Sequence, residues 1–444
     1  MEKLSTTLQP SAISITGFSH EGRGIAYIGG KTTFVENALP GETVLIHYVK
    51  KHRQYDEAKA VEILDRSPDR VTPLCVHYGT CGGCSLQHLS TDAQLRHKEK
   101  VLLEQLAHIA GIQPKTLLPS LRAASWGYRR RARLGVKYVA KKQAVLVGFR
   151  EKNGRYLAQL RGCETLDAKV AQLISPLQRL IGSLKAYQAI PQIEVAVGDN
   201  ALALVFRHLS ALEKGDEAKL KVFAENYQVQ LYLQPGNEST IHCIWPEILP
   251  KLLSYRLYPS GLLARPLELR FEPAHFIQIN AAINQSMISC AMELLAANCS
   301  DRILDLFCGL GNFSLPLATR CQSVVGVEGS PELVMRAREN AMHNAITNVQ
   351  FYSADLTATI KDQAWAQPTF NKLLLDPPRS GACNIIQQIP SWHLERIVYV
   401  SCNSATLARD AGELVKRGYS LQQAGIIDMF PHTHHSEAIC LFTK

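Results

Sequence analysis

The sequence predicts a multidomain α/β protein with a small amino-terminal β-barrel, a mixed, strand-rich centre and a carboxy-terminal doubly wound domain. Three observations carry this. Short β-forming runs broken by glycines fill residues 11 to about 70. From about residue 276, short apolar runs alternate with helical stretches. The chain of 444 residues, 46% hydrophobic, is too long for one ordinary core. The regions so read are 1–72, 73–270 and 271–444.

In the first region Ala12-Ile13-Ser14-Ile15-Thr16 alternates, Gly22 and Gly24 break the run, and Gly29-Gly30 makes a turn. Thr43 to Val49 and Val61 to Leu64 are further strand-like runs, so the region is close in size to an oligonucleotide-binding (OB-like) barrel. Thr91 to Ala110 reads as one helix, with apolar residues at Leu95, Leu102, Leu106 and Ile109, a cap at Ser90 or Thr91 and a stop at Gly111. Residues 144–149 and 201–206 are central strand runs. In the last region Ile303–Leu306, Ser323–Val327, Val349–Tyr352, Lys372–Leu375 and Arg396–Val400 are the strands of a Rossmann-like parallel sheet.

The net charge of +9 is unevenly placed. Residues 73–165 carry 16 Lys and Arg against 5 Asp and Glu, whereas residues 1–72 balance at nine each. Concentrated positive charge suits a polyanion, because released counterions drive such binding. The basic run Tyr128-Arg129-Arg130-Arg131-Ala132-Arg133 reads as part of a basic surface. No run is long enough for a membrane span, and Met1-Glu2-Lys3-Leu4 has no export-signal pattern, so a cytoplasmic chain without a membrane partner is expected.

Asp305-Leu306-Phe307-Cys308-Gly309-Leu310-Gly311-Asn312-Phe313 follows a strand and opens a helix, and its glycines let the backbone approach a ligand. Glu328 ends the next strand, where a carboxylate can accept both ribose hydroxyls, and Asp355 ends the third, beside the place for an adenine. A dinucleotide needs a free helix amino terminus for its pyrophosphate. Asp305 and the missing third glycine fit a sulfonium nucleoside better.

Asp376-Pro377-Pro378-Arg379 ends the fourth strand, and Ser401-Cys402-Asn403 ends the fifth. Carbon 5 of uracil attacks a methyl donor only after a thiolate has added to carbon 6, and a base must then remove the carbon-5 proton. Cys402 suits the nucleophile, Glu437 the base and Asp376 the group that fixes ring and donor, with Arg379 favouring the thiolate. Asp-Pro-Pro before an aromatic marks amino methylation of adenine, but Arg379 stands there instead. The histidines His432, His434 and His435 lack helical ligand spacing.

Without an export signal, twelve cysteines argue against a disulfide framework. Cys243, Cys290, Cys299, Cys321, Cys383 and Cys440 read as small buried residues. Cys75, Cys81, Cys84 and Cys163 form a set of four thiols beside turn-forming glycines, suited to zinc or to an iron–sulfur cluster.

Phe276-Ile277-Gln278-Ile279-Asn280, Asp305–Phe313, Asp376–Ala382, Tyr399–Asn403 and Thr406–Asp410 together resemble the RNA 5-methyluridine methyltransferase family over nearly the whole chain. By that resemblance, barrel and cysteines together imply the branch that acts on 23S ribosomal RNA. The resemblance implies a TRAM barrel over 1–72, a [4Fe–4S] cluster on Cys75, Cys81, Cys84 and Cys163, and S-adenosyl-L-methionine as donor. It implies donor binding by Gln278, Phe307, Asn312, Glu328, Asp355 and Asp376, with Cys402 as nucleophile and Glu437 as proton acceptor. The helix 91–110 is implied to pack on the catalytic domain. The partner would be ribosomal RNA rather than DNA, and the chain a monomer. Two departures are Ser404, where proline is usual, and Ser436, where an apolar residue is usual.

Overall fold

The computed structural model describes residues 11–152, 154–247, 252–258, 266–360, 363–367, 369–389 and 394–444. Met1–Leu4, read above for an export signal, lies outside them. Two compact units emerge: residues 1–98 with Pro431–His434, and residues 99–430 with His435–Lys444.

The first unit is built on a six-stranded sheet in the order Ser11–Ser14, Thr43–Lys51, Tyr55–Asp65, Lys31–Glu36, Gly24–Ile28, Gly17–Phe18. Alternation puts Ile15, Ala26, Val35, Val44, Ile46, Ala58 and Ala60 into one small core. Glu42 is buried there, accepts from Leu39 N–H and pairs with Arg70, so the chain leaving the barrel is tied back to it. The glycine-punctuated stretch between the first and second expected strands holds three more, Gly17–Phe18, Gly24–Ile28 and Lys31–Glu36.

The predicted helix from Thr91 is α-helical over Thr91–Gln105, then widens into a π-helical turn, Leu106–Ala110, which Gly111 ends at φ 67°. That last turn packs on the helix Ser404–Lys416.

In the second unit a six-stranded sheet runs His242–Trp245, Gln230–Gln234, Leu202–Arg207, Gln192–Val197, Arg131–Val139, Ala144–Gly148. Beside it in sequence, Leu253–Leu257 pairs with Leu267–Phe271. The larger sheet has eight strands in the order Val349–Ser353, Ser323–Glu328, Arg302–Leu306, Lys372–Leu375, Arg396–Ser401, Glu437–Thr443, Ser420–Ile427, Thr116–Leu117. All five expected strands are present and parallel. The sequence pattern did not disclose Ser420–Ile427 and Glu437–Thr443, which extend the sheet antiparallel. Strand order reverses between Arg302–Leu306 and Lys372–Leu375, so a crevice opens at the carboxyl ends of these strands.

Two expectations change. Of the six cysteines read as buried, Cys321 and Cys440 are; Cys243, Cys290 and Cys383 are half-buried, and Cys299 is exposed in the turn Asn298–Asp301. The basic run is not all surface. It enters a strand in which Arg131 and Arg133 share one face, Arg131 half-buried and Arg133 exposed, while Arg130, just before the strand, is buried. Ser404 is the first residue of the helix Ser404–Lys416, a position that tolerates proline because its N–H needs no helical partner. Among the described residues no helix is long and apolar enough to cross a membrane.

Candidate active site

The loop after Arg302–Leu306 is shaped by backbone conformations that few residues adopt. Phe307 sits at φ 66°, and its N–H and that of Cys308 both reach Val327 O. Gly309 and Gly311 follow at φ 55° and 94°. A Cβ on Gly309 would meet nothing within 4 Å, so this part of the loop faces open space. Glu328 holds the loop from the neighbouring strand: one carboxylate oxygen accepts from Gly309 N–H at 3.1 Å, the other from Ser330 N–H at 3.0 Å. Under the loop Asp305 is fully buried, accepts from Ser314 hydroxyl and has one oxygen without a partner among the described residues. Desolvation, reinforced by Asp376 and Glu328, pushes its carboxyl up to about 7.

Asp355 lies two residues beyond its strand and is exposed, with one oxygen accepting from both N–H and hydroxyl of Thr357, which hold its carboxyl below the usual range. Asn312 is held on three sides. Its Oδ1 accepts from Tyr255 hydroxyl at 2.9 Å and from Asn284 Nδ2 at 3.0 Å, and its Nδ2 donates to Asn284 Oδ1 at 2.8 Å. Gln278 comes from outside the sheet, on the segment before the helix Ala281–Leu295. Arg130 and Arg131 position that segment: Arg131 donates to Ala274 O and His275 O, Arg130 Nε to Gln278 O at 3.1 Å, and Arg130 N–H to Ile279 O at 3.0 Å.

Asp376 and Cys402 follow adjacent parallel strands, and Asp410 ties their loops together. One Asp410 oxygen receives both Ala382 N–H and Tyr399 hydroxyl. Asn403 Nδ2 and Thr406 hydroxyl both donate to Arg379 O at 3.1 Å. Glu437 opens the last strand, whose register pairs Ala438 with Ser401 and brings Glu437 beside Cys402. Desolvation pushes Asp376 up to about 7. It also raises the half-buried Cys402 thiol, with Glu437 and Asp376 adding to the rise; Arg379 pulls the other way and does not prevail. Burial and two carboxylates thus outweigh the one cation, Arg379, that favours the thiolate.

One cavity of about 830 Å³ is lined by Gln278, Phe307, Asn312, Glu328 and Asp355 together with Asp376, Cys402 and Glu437. All eight residues singled out for donor and catalysis thus border the same space. Cys75, Cys81, Cys84 and Cys163 do not line it. Sequence reading missed Tyr255 and Asn284, which position Asn312. For Asn284 a signal exists: it is a buried polar residue on the apolar face of the helix Ala281–Leu295, among Ile283, Met287 and Ile288. His435, considered only for metal, borders the cavity through Arg379, 3.5 Å from its Nδ1.

The family model described as tRNA (Uracil-5-)-methyltransferase matches residues 262–444, and the TRAM domain model matches residues 11–61. The amino-terminal region is therefore a TRAM domain and the carboxy-terminal region has the methyltransferase fold. A solved Pyrococcus abyssi structure, tRNA (uracil-54, C5)-methyltransferase in complex with S-adenosyl-L-homocysteine, shares the fold with TM-score 0.72 at 23% identity, covering 98% of this chain and 100% of that one. Proteins named 23S rRNA (uracil(1939)-C(5))-methyltransferase RlmD are similar throughout. That of Alcanivorax borkumensis is 49% identical over 98% of this chain and 97% of its own length. That of Nitrosococcus oceani is 50% identical over 98% and 96%. With identity at this level from end to end, the chain belongs to the RlmD family of 23S rRNA (uracil-C5)-methyltransferases.

Proposed function

We propose that this protein transfers a methyl group from S-adenosyl-L-methionine to carbon 5 of a uridine in 23S ribosomal RNA, through a transient bond between Cys402 Sγ and carbon 6 of the base. The observation that carries this reading is the meeting of Asp376, Cys402 and Glu437 at one wall of a cavity whose other walls suit a nucleoside donor.

The donor residues fit the group. Gln278, Phe307, Asn312, Glu328, Asp355 and Asp376 would hold it, with Glu328 toward the ribose hydroxyls and Asp355 toward the adenine. When bound, the donor supplies an electrophilic methyl group on a sulfonium sulfur. The chain's own residues do the rest. The Cys402 thiol loses its proton, and the thiolate adds to carbon 6, moving the ring double-bond electrons onto oxygen 4 as an enolate. Asp376 fixes the ring so that carbon 5 faces the methyl group. Glu437 then takes the carbon-5 proton, the double bond reforms, and Cys402 leaves as thiolate. A uridine flipped out of its stack would reach this crevice.

We read the central region as the holder of a [4Fe–4S] cluster. The cysteines fit it: all four are half-buried thiols outside any disulfide, Cys81 Sγ accepts from Gly83 N–H at 3.4 Å, and Cys163 Sγ lies 3.3 Å from Thr165 hydroxyl. Donors of this kind surround cluster thiolates. The three-region division and a cytoplasmic place of work belong to the same reading.

The test is incubation with labelled donor and unmodified 23S ribosomal RNA, followed by nuclease mapping and mass spectrometry. A single 5-methyluridine is expected. RNA left unmethylated by the full, iron-loaded chain rejects the reading.

A further inference from the structure

A second cavity of about 370 Å³ lies in the same unit and shares a wall with the first. Gln278 and Ile279 face the donor cavity, whereas the next residue, Asn280, faces the second. Arg130 also lines the second cavity, while its Nε holds Gln278 O and its guanidinium lies 4.7 Å above the ring of Tyr255 in the first. Nothing in the methylation mechanism uses this space.

Two buried donors on its lining residues have no partner among the described residues. Arg130 is 5% exposed and Asn280 2% exposed, yet Arg130 Nη2 and Asn280 Nδ2 make no hydrogen bond among the described residues. Asn280 Oδ1 is committed to Ile283 N–H as the cap of the helix Ala281–Leu295, which leaves Nδ2 as the free end. Buried donors are rarely left unsatisfied, and two in one cavity mark a place for a ligand with acceptors. The charged lining residues are two cations, Arg130 and Lys169, and two carboxylates, Asp167 and Asp199, so no positive excess favours a phosphate. Trp126 and Tyr128 add ring surface. The volume is within the range of small-molecule pockets.

We propose that this cavity receives a second nucleobase of the RNA, unpaired and turned out of its stack, whose carbonyl or ring-nitrogen acceptors are bound by Arg130 Nη2 and Asn280 Nδ2. The inference rests on the RNA-substrate reading above. Single-stranded RNA offers such splayed bases, and aromatic and amide side chains read them. Two bases held on either side of one segment set the register of the strand, so that one uridine among many enters the donor cavity.

The experiment uses the full chain, iron-loaded, and an RNA fragment carrying the methylated uridine, with abasic sites placed one at a time at neighbouring positions. Asn280→Asp keeps the helix cap but replaces the donor by an acceptor. Asn280→Ser is the second variant, also a good cap, used if the first does not fold. For wild type, one abasic position besides the target should lower kcat/KM by about tenfold or more. For the variant, intact RNA should show a loss of similar size, with no further loss at that position, while S-adenosyl-L-homocysteine affinity stays within about twofold. A variant as active as wild type, a loss that adds to every abasic loss, or weakened donor binding overturns the proposal. Failure of wild type to methylate any RNA rejects the functional reading instead, a separate outcome.

Discussion

Asn284 and Asn312 hold each other by reciprocal amide hydrogen bonds, 3.0 Å one way and 2.8 Å the other. With Tyr255 they fix an amide at the donor cavity that a flexible loop would otherwise leave loose. Asn284→Ala should weaken S-adenosyl-L-homocysteine binding roughly tenfold, and Tyr255→Phe by about three- to fivefold, since each removes buried hydrogen bonds. Calorimetric titration measures both, and unchanged affinities would show that the clamp does not shape the site.

The covalent step separates two substitutions. Cys402→Ala should abolish methyl transfer with donor affinity kept within about twofold. Glu437→Gln should instead accumulate a protein–RNA adduct that survives a denaturing gel, because the carbon-5 proton stays in place. An active Cys402→Ala protein rejects the covalent route.

Asp376 is pushed up to about 7 and the Cys402 thiol lies above its ordinary value. Both act deprotonated, so activity should fall as pH drops through about 7 and rise on the alkaline side. A flat kcat/KM profile over roughly pH 6 to 9 contradicts this assignment.

Asp305 makes a stability prediction. Its folded carboxyl, at about 7, binds its proton more tightly than the unfolded one. The stability this contributes is complete below the ordinary carboxylate range and is lost as pH rises through about 7. Asp305→Asn, which keeps an acceptor for Ser314, should therefore be the more stable protein at about pH 8, by on the order of 2–4 kcal/mol, with the difference shrinking toward about pH 5. Thermal melts at the two pH values decide it.

Anaerobically isolated protein should be brown, with broad visible absorption and about four irons per chain. Cys81→Ser should lose most of that iron. A colourless protein that binds one zinc instead removes the cluster from the reading.

Much of the fold was legible in local pattern. The five parallel strands announce themselves as short apolar runs because both faces of a parallel sheet are buried. The glycines of the Asp305–Phe313 loop mark conformations that a side chain would resist; Phe307, at φ 66°, is strained without any such mark. Ser420–Ile427 and Glu437–Thr443 were not anticipated, although the latter buries Ala438 to Phe442 without a break. Arg130 and Arg131 looked like surface charge because composition carries no partners; only the tertiary fold lays the carbonyls of Ala274, His275 and Gln278 against them.

The sequence by itself determined the chemistry available: a thiol, two carboxylates, a glycine loop and four further cysteines, each at a strand end or a turn. Tertiary structure decided which of these meet. Cys402 and Glu437 are brought together by an antiparallel strand inserted at one register, with Ala438 opposite Ser401. A shift of one residue would turn Glu437 to the other face of the sheet. That register is set by packing across the whole sheet, which no local run of residues encodes.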